Sequence, residues 1–359
     1  MLKFLKEKVL VKDDLPKLSD RKRAILYYAV DNYIKLASPI TSLLVQKTTL
    51  HDLSTATIRN ELNALEAMGF LKQLHTSSGR VPTTQAYRFF VNETLKDTKY
   101  STKDLQDVRD KLFARTNNLS EIVESISKAI STKTNYPTVF MFDGFENLTV
   151  QSIKVIWLLN SQVLVLVETN AGAISNTIEA NSSVTKQDCD NASSVFSAIF
   201  GGKNISYLTQ NMDNFSFGVK ESMRKYDEVF KLVLEVLSAY YNHTKSKVSN
   251  QGIIKLLESP DTSVESAKNI LNVLDDSESL KNIMTTDDES VTVDFGEESD
   301  NMLTDCAVIK APLVLDGKRI ATFGIIGPER IDYANIAGVL KFVSDELKNK
   351  LTNGGKNDT

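Results

Sequence analysis

Residues 53–83, LSTATIRNELNALEAMGFLKQLHTSSGRVPT, leave few choices of local structure. Ser54 is placed to cap a helix, because its hydroxyl can accept a bond from an orphan N–H of the first turn. Ile58, Leu62 and Leu65 follow at i, i+4 and i+7 as one apolar stripe, and Gly69 supplies the stop. The opposite stripe carries Ala56, Arg59, Asn60 and Asn63, with Thr55 on its flank. These are short or forked side chains that reach base edges and phosphates. Beyond Gly69, two short β-prone runs, 71–75 and 80–83, frame the turn Thr76-Ser77-Ser78-Gly79. Gly79 permits the reversal, Arg80 stands where a wing would meet phosphate or the minor groove, and Pro82 suits an edge strand. His75 reads as a packed or hydrogen-bonded strand residue. A helix followed at once by a hairpin with a basic tip is the pattern of a winged helix-turn-helix DNA reader.

The flanking sequence supplies the rest of such a unit. Residues 18–37 have Ser19 as a cap and Ile25, Tyr28, Ala29 and Ile34 at helical spacing, and Pro39 ends the helix. Residues 40–49 predict a shorter second helix, and 83–95 a closing one with Tyr87, Phe90, Val91 and Leu95 on one side. The winged-helix domain is thus expected over 18–96, after an N-terminal extension, 1–17, that reads as a short helix or loosely docked arm. Charge agrees with this placement: residues 1–96 hold 15 Lys and Arg against 9 Asp and Glu, whereas the remainder holds 27 against 37. A basic front on an acidic body confines phosphate contact to the front.

A chain of 359 residues predicts two or three domains. Cys189 and Cys306 offer neither a disulfide framework nor metal-ligand spacing, as expected of a reducing cytoplasm. The longest apolar runs, 155–159 and 163–167, fall far short of the roughly 20 residues a membrane helix needs, and 1–17 lacks the apolar core of a signal peptide. A soluble, cytoplasmic protein with no membrane partner is expected.

Past residue 96 the character changes. Residues 97–134 are polar and helical, with Leu105, Val108, Leu112, Ile122, Ile126 and Ile130 apolar but no heptad regularity. Residues 152–159 and 162–169 are strand-like around the turn Asn160-Ser161, and 173–178 can add a third strand. Two more runs, 307–315 and 318–326, flank Asp316-Gly317, a strong hairpin signal, and 334–351 is an amphipathic helix with Ile336, Val339, Leu340, Val343 and Leu347 inward. One antiparallel sheet with packed helices is expected from these pieces, an α+β domain built from 97–183 and 252–352. Between them, 184–251 is mainly helical, with a helix over 189–200 and a long one over 219–243 carrying Val229, Leu232, Val233, Val236, Leu237 and Tyr240 as an apolar band. Such a band either docks on its own sheet or buries against a second subunit, and the second option suits DNA reading as a homodimer. Residues 353–359 form a tail.

The chain resembles the heat-inducible transcription repressors of the HrcA type. The first likeness is Ser54-Thr55-Ala56-Thr57-Ile58-Arg59-Asn60-Glu61, and the second is His75-Thr76-Ser77-Ser78-Gly79-Arg80-Val81-Pro82-Thr83, followed by Tyr87-Arg88. It continues through Gln251-Gly252, Leu256-Leu257 and Pro260, loosely at Phe295-Gly296-Glu297-Glu298, and closely from Gly324 through Gly327-Pro328-Glu329-Arg330-Ile331-Asp332-Tyr333. Departures are the turn at Ala37-Ser38-Pro39-Ile40, the displaced Asn301, and Ile331 in place of a Met. The likeness runs from Leu18 to about Leu351. It implies a winged helix, a GAF-like domain and an inserted dimerisation domain. It also implies a homodimer that silences heat-shock chaperone operons at an inverted-repeat operator in double-stranded DNA. A chaperonin would keep that repressor active until heat diverts it, and the bound protein would be nucleoid-associated. DNA contact is assigned to Ser54, Thr55, Thr57, Arg59, Asn60 and Asn63 on the helix and to Ser78, Gly79 and Arg80 in the wing.

Catalytic patterns do not hold together. Gly201-Gly202-Lys203 lacks the first glycine of a phosphate loop, and no Gly-x-Ser-x-Gly elbow occurs. His51, His75 and His243 lie far apart without acidic or thiol partners at ligand spacing. Asp294-Phe295-Gly296 copies a kinase tripeptide without the other kinase parts. The acidic run 287–300 reads as a solvated edge, with a cation site as the alternative. Neither an enzyme nor a cofactor is expected. Arg330, Asp332 and Tyr333 form either an interface or signal site or a tight turn in which Arg330 and Asp332 pair locally. The competing functional expectation is a winged-helix regulator that senses a small molecule in its GAF-like domain.

Overall fold

The computed structural model describes residues 15–353 except 49–50, 74–78, 96–104, 113–118, 143, 210–215, 245, 249, 287, 289, 297–302 and 316. Most of the N-terminal arm, His75 and the Thr76–Ser78 wing tip therefore lie outside the described residues. The N-terminal elements are α1 (Asp20–Leu36), α2 (Ser42–Thr48), α3 (Thr55–Ala67), β1 (Leu71–Gln73), β2 (Arg80–Pro82) and α4 (Thr84–Thr94). Ser19 accepts the Lys22 N–H at the start of α1, which ends at Ala37 in the left-handed region (φ 52°) before Pro39 is reached. The second helix starts later than expected because Ile40 pairs with Arg80, each N–H donating to the other's carbonyl (2.8 and 2.9 Å), so the hairpin gains a third backbone partner.

Five strands form the central sheet in the order β7-β3-β10-β9-β8, all neighbours antiparallel: β3 (Thr138–Met141), β7 (Ser246–Val248), β8 (Thr292–Phe295), β9 (Cys306–Leu315) and β10 (Lys318–Pro328). Side-chain alternation divides two cores. Phe140, Ile309, Leu313, Phe323 and Ile325 join the core of α6 (Leu119–Thr134) and α14 (Tyr333–Asn353). Val139, Met141, Cys306, Val308 and Ile326 instead meet Leu256, Ile270, Val273, Leu280, Ile283 and Met284 of α11 (Asn250–Glu258), α12 (Val264–Asp275) and α13 (Ser277–Met284). All five inward residues expected on the last helix are buried. Gly317, in the turn between β9 and β10, takes φ 73°, as the tight hairpin requires. Lys310 on β9 is 4% exposed, and its Nζ reaches Asp294 Oδ2 (2.6 Å) and the carbonyls of Ile283 (3.0 Å) and Thr285 (2.9 Å). Asp294 of the kinase-like tripeptide thus serves an ion pair.

The expectation of one sheet for all the strands is corrected here. β4 (Val150–Trp157), β5 (Gln162–Thr169) and β6 (Gly172–Glu179) form their own sheet, in that order, and share no ladder with β9 or β10. Its helical partners within the same stretch of chain are α7 (Lys186–Phe200) and α10 (Asp227–Thr244), with α9 (Phe217–Arg224) packed on those two helices and the single turn α8 (Ile205–Leu208) against the turn at Phe145–Asn147. The chain leaves the central sheet after β3 and returns as β7, which pairs with β3 itself. Exit and re-entry therefore lie side by side, and the apolar packing runs on from the central sheet into the inserted stretch through Phe142, Phe145 and Tyr240.

Two further expectations change within this insert. The long helix over 219–243 is broken at Lys225 and Tyr226, where Tyr226 turns in against Phe196 with ring centroids 6.4 Å apart. The apolar band on α10 does not wait for a second subunit: Val229, Phe230, Leu232, Val233, Val236 and Leu237 are all buried within this chain. Their partners include Phe196 and Phe200, the latter stacked on Phe230 at 5.4 Å. Along the free edge of β4, the hydroxyls of Ser193 and Ser197 accept the N–H groups of Val155 (2.8 Å) and Ile153 (3.0 Å), Ser197 donating back to the Ile153 carbonyl (2.9 Å) and Ser193 to the Cys189 carbonyl of its own helix (2.8 Å).

Burial pushes the Cys189 thiol up to about 11 and the Cys306 thiol up to about 12, so both stay protonated at pH 8. Brief iodoacetamide treatment at pH 8 should label neither in the native protein and both in urea, read by mass spectrometry. Lys310→Met should lower stability by about 1–3 kcal/mol in urea unfolding, since it leaves the Ile283 and Thr285 carbonyls without the donor that reaches them at a buried position, while Asp294 keeps contact with water.

Candidate nucleic-acid interface

The polar face of α3 exists because its other face is fully used. Ile58, Leu62 and Leu65 have no exposed surface and pack with Ile25, Leu26, Ala29 and Val30 of α1. Burying three branched side chains at i, i+4 and i+7 fixes the helix rotation, so Ala56, Arg59, Asn60, Asn63 and Ala67 emerge on the exposed side. The helix is also tied to α1 by charge. Glu61 receives Lys22 at 2.8 Å and Arg21 at 3.4 Å, and the Lys22 hydrogen bond holds its carboxyl below the ordinary range.

The nine residues assigned to DNA contact fall into three groups. Arg59 and Asn60 are exposed on the helix face, and Thr55 is half-buried at its start. Ser54 and Thr57 are spent on the cap: the Thr57 N–H donates to Ser54 Oγ at 3.1 Å, and the two hydroxyls bond to each other at 2.9 Å. Asn63 and Arg80 are joined. Arg80 Nε donates to Glu66 Oε2 at 2.8 Å and its Nη2 to Asn63 Oδ1, leaving the Arg80 side chain only 12% exposed. Arg80 thus locks the hairpin onto α3, a role its position at a basic wing tip did not suggest. The reason for Gly79 is packing, since its φ is not in the left-handed region and a Cβ there would lie 2.6 Å from the Ile40 carbonyl oxygen. Ser78 lies outside the described residues.

Arg330, Asp332 and Tyr333 sit elsewhere, where the end of β10 meets α1 and α4. Arg330 does not pair with Asp332. Its Nε donates to Asp261 Oδ1 at 2.7 Å, its Nη2 to Asp261 Oδ2, and its Nη1 to the Ile34 carbonyl at 2.6 Å. Asp332 instead caps α14 by accepting the Asn335 N–H at 3.2 Å. Tyr333 is fully buried, donates its hydroxyl to the Glu329 carbonyl, and faces Tyr87 with ring centroids 6.2 Å apart. Burial pushes both phenols well above their ordinary range, so they are neutral hydrogen-bonding groups. Three residues that the sequence reading missed complete this junction. Thr84 donates to Glu329 Oε1 at 2.7 Å, and Arg88 donates to the Val293 carbonyl at 2.6 Å while lying 4.6 Å from the Phe295 ring centroid. Asp261 is the third, and its distance from Arg330 along the chain hides the pairing. Thr84 and Arg88 lie on the helix expected over 83–95, whereas no local pattern marks Asp261.

Three helices, a hairpin and an exposed polar helix face, set on an α+β body that carries an insert, have the layout of a multidomain regulator. The family described as the HrcA protein C-terminal domain matches residues 120–337, and the chain belongs to the HrcA family. It is 28% identical over 344 residues to a heat-inducible transcription repressor HrcA of Pelotomaculum thermopropionicum, covering 93% of this chain and 97% of that protein. The like-named protein of Brevibacillus brevis is also 28% identical, over 338 residues, covering 93% and 98%. A solved structure of a hypothetical protein, 20% identical, superposes with a TM-score of 0.68 over 94% of this chain and 99% of its own, so the two share a fold.

Arg80→Ala should destabilise the protein by about 1 kcal/mol, because it removes the tie between the hairpin and α3 while water takes up Glu66 and Asn63. Arg59→Ala should leave the urea midpoint within error of the parent. Equal midpoints for the two variants would contradict the division of roles.

Proposed function

We propose that this chain is a heat-responsive transcription repressor that acts as a homodimer on an inverted-repeat operator upstream of chaperone operons. Each subunit would lay α3 in a major groove, with Thr55, Arg59 and Asn60 against bases and phosphates and the hairpin tip, including Ser78, beside it. The observation that carries this reading is the exposed stripe Ala56, Arg59 and Asn60 on a helix whose opposite face is locked into a core. The names of its HrcA relatives support the repressor role. In this reading residues 18–96 are the winged helix, the five-stranded sheet and its helices are the GAF-like domain, and the insert spans β4 to α10.

The dimer contact falls on the insert. With the apolar band of α10 buried at home, the surface this reading uses is the outer face of the three-stranded sheet, where Ile156 (42% exposed) stands opposite Leu164, beside Leu166. Leu159, 85% exposed, lies in the β4–β5 turn. A small apolar cluster bordered by the Lys154–Glu168 pair suits a self-complementary two-fold contact. A chaperonin would maintain the folded, DNA-competent population in the cytoplasm, and heat would divert it to other clients.

Footprinting of chaperone-operon promoters with the purified protein, with and without chaperonin, tests the reading. An inverted repeat should be protected, more fully when chaperonin is present. Arg59→Ala should weaken that binding by about 1–3 kcal/mol with the fold intact, and unchanged affinity would remove α3 from the groove. Ile156→Asp should sediment as a monomer and lose most operator affinity, whereas a dimer of ordinary stability would move the contact elsewhere.

A further inference from the structure

The turn after β10 grips the N-terminal unit through directional groups. Arg330 forks onto both oxygens of Asp261, in the turn between α11 and α12, and sends its remaining arm to the Ile34 carbonyl in the last turn of α1. The neighbouring Glu329 receives Thr84 at the start of α4. A guanidinium is planar and rigid, so a residue that bridges β10, the α11–α12 turn and α1 sets an angle as well as a distance. Its charge also suits the negative end of the α1 dipole. Angle passes from α1 to α3 through their common core and the Lys22–Glu61 pair. These ties run through α1 and α4, and the exposed stripe of α3 takes no part in them.

We propose that Arg330 is a positioning residue for DNA recognition: by fixing α1 against the body it sets the angle of α3, and so the half-site spacing that the two subunits accept. This rests on the reading of the chain as a dimeric DNA reader. A pinned reader holds two α3 helices at one separation, and the dimer then selects one spacer length. A reader freed from Arg330 keeps its own half-site contacts but spreads its binding over several spacers.

The test uses the full-length protein and fluorescence anisotropy. The probes are a duplex carrying one half-site taken from the promoter footprint, and inverted repeats of it whose central spacer grows one base pair at a time over a helical turn. The parent should favour one spacer by at least about tenfold. Arg330→Ala and the isosteric Asp261→Asn should bind the single half-site within about twofold of the parent, yet lose most of the spacer preference. Arg330→Lys, which keeps the charge and loses the fork, should resemble Arg330→Ala. A parent-like spacer profile in both Arg330→Ala and Asp261→Asn overturns the inference, as does a parent without spacer preference. Loss of half-site binding in both variants overturns it too, because Arg330 would then support the fold alone. A parent that binds no inverted repeat removes the dimeric-reader reading itself; if the parent binds, only the role of Arg330 is at stake.

Discussion

The peptide groups of β10 must find partners on both sides within a sheet that is covered on both faces. Buried N–H and C=O groups without partners are too costly to persist. β9 supplies one side through a hairpin, but β3, far earlier in the chain, supplies the other. This requirement brings residues 138–141 and 318–328 together and forces everything between them to leave and return around one small strand. The pairing of β7 with β3 closes that excursion. It also fixes where the chain emerges at Glu329, against α1 and α4, so the reading unit inherits its seat from the strand order of the body.

Local periodicity made much of this legible. The apolar stripe of α3, the caps at Ser19 and Ser54, and the inward face of the last helix are short-range patterns, and the structure reproduces them. The Asn160-Ser161 turn, with φ of 58° and 59°, is equally local. Partner choice was less legible. Strands 150–179 and 306–328 share the same β-rich chemistry, and period-two patterns do not say which ladder a strand joins. β7 and β8 are three and four residues long, too short to announce themselves beside helices and an acidic run. The apolar band of α10 signals a need for cover, but its sequence fits burial on its own sheet and against another subunit equally well.

The candidate interface divides in the same way. Exposure of Arg59 and Asn60 follows from helix geometry alone. The engagement of Arg80 with Glu66 and Asn63 does not, because it depends on how the hairpin folds back over α3, 14 and 17 residues away. A basic residue beside a wing tip looks the same in sequence whether it faces phosphate or its own helix. Arg330 makes the same point over a longer reach: Asp332 was the obvious partner at two residues, while Asp261 was brought in by the turn between two helices.

The serines of α7 guard an edge of the insert. Ser193 and Ser197 occupy the N–H groups of Val155 and Ile153 and the Ile153 carbonyl, backbone positions that an edge strand would otherwise offer to any passing chain. The cover is a helix on a sheet, so fraying of α7 uncovers a ready template while β4, β5 and β6 are still paired. Protection of that edge therefore rests on a helix and not on a further strand, so the insert stays unadhesive only while α7 stays seated.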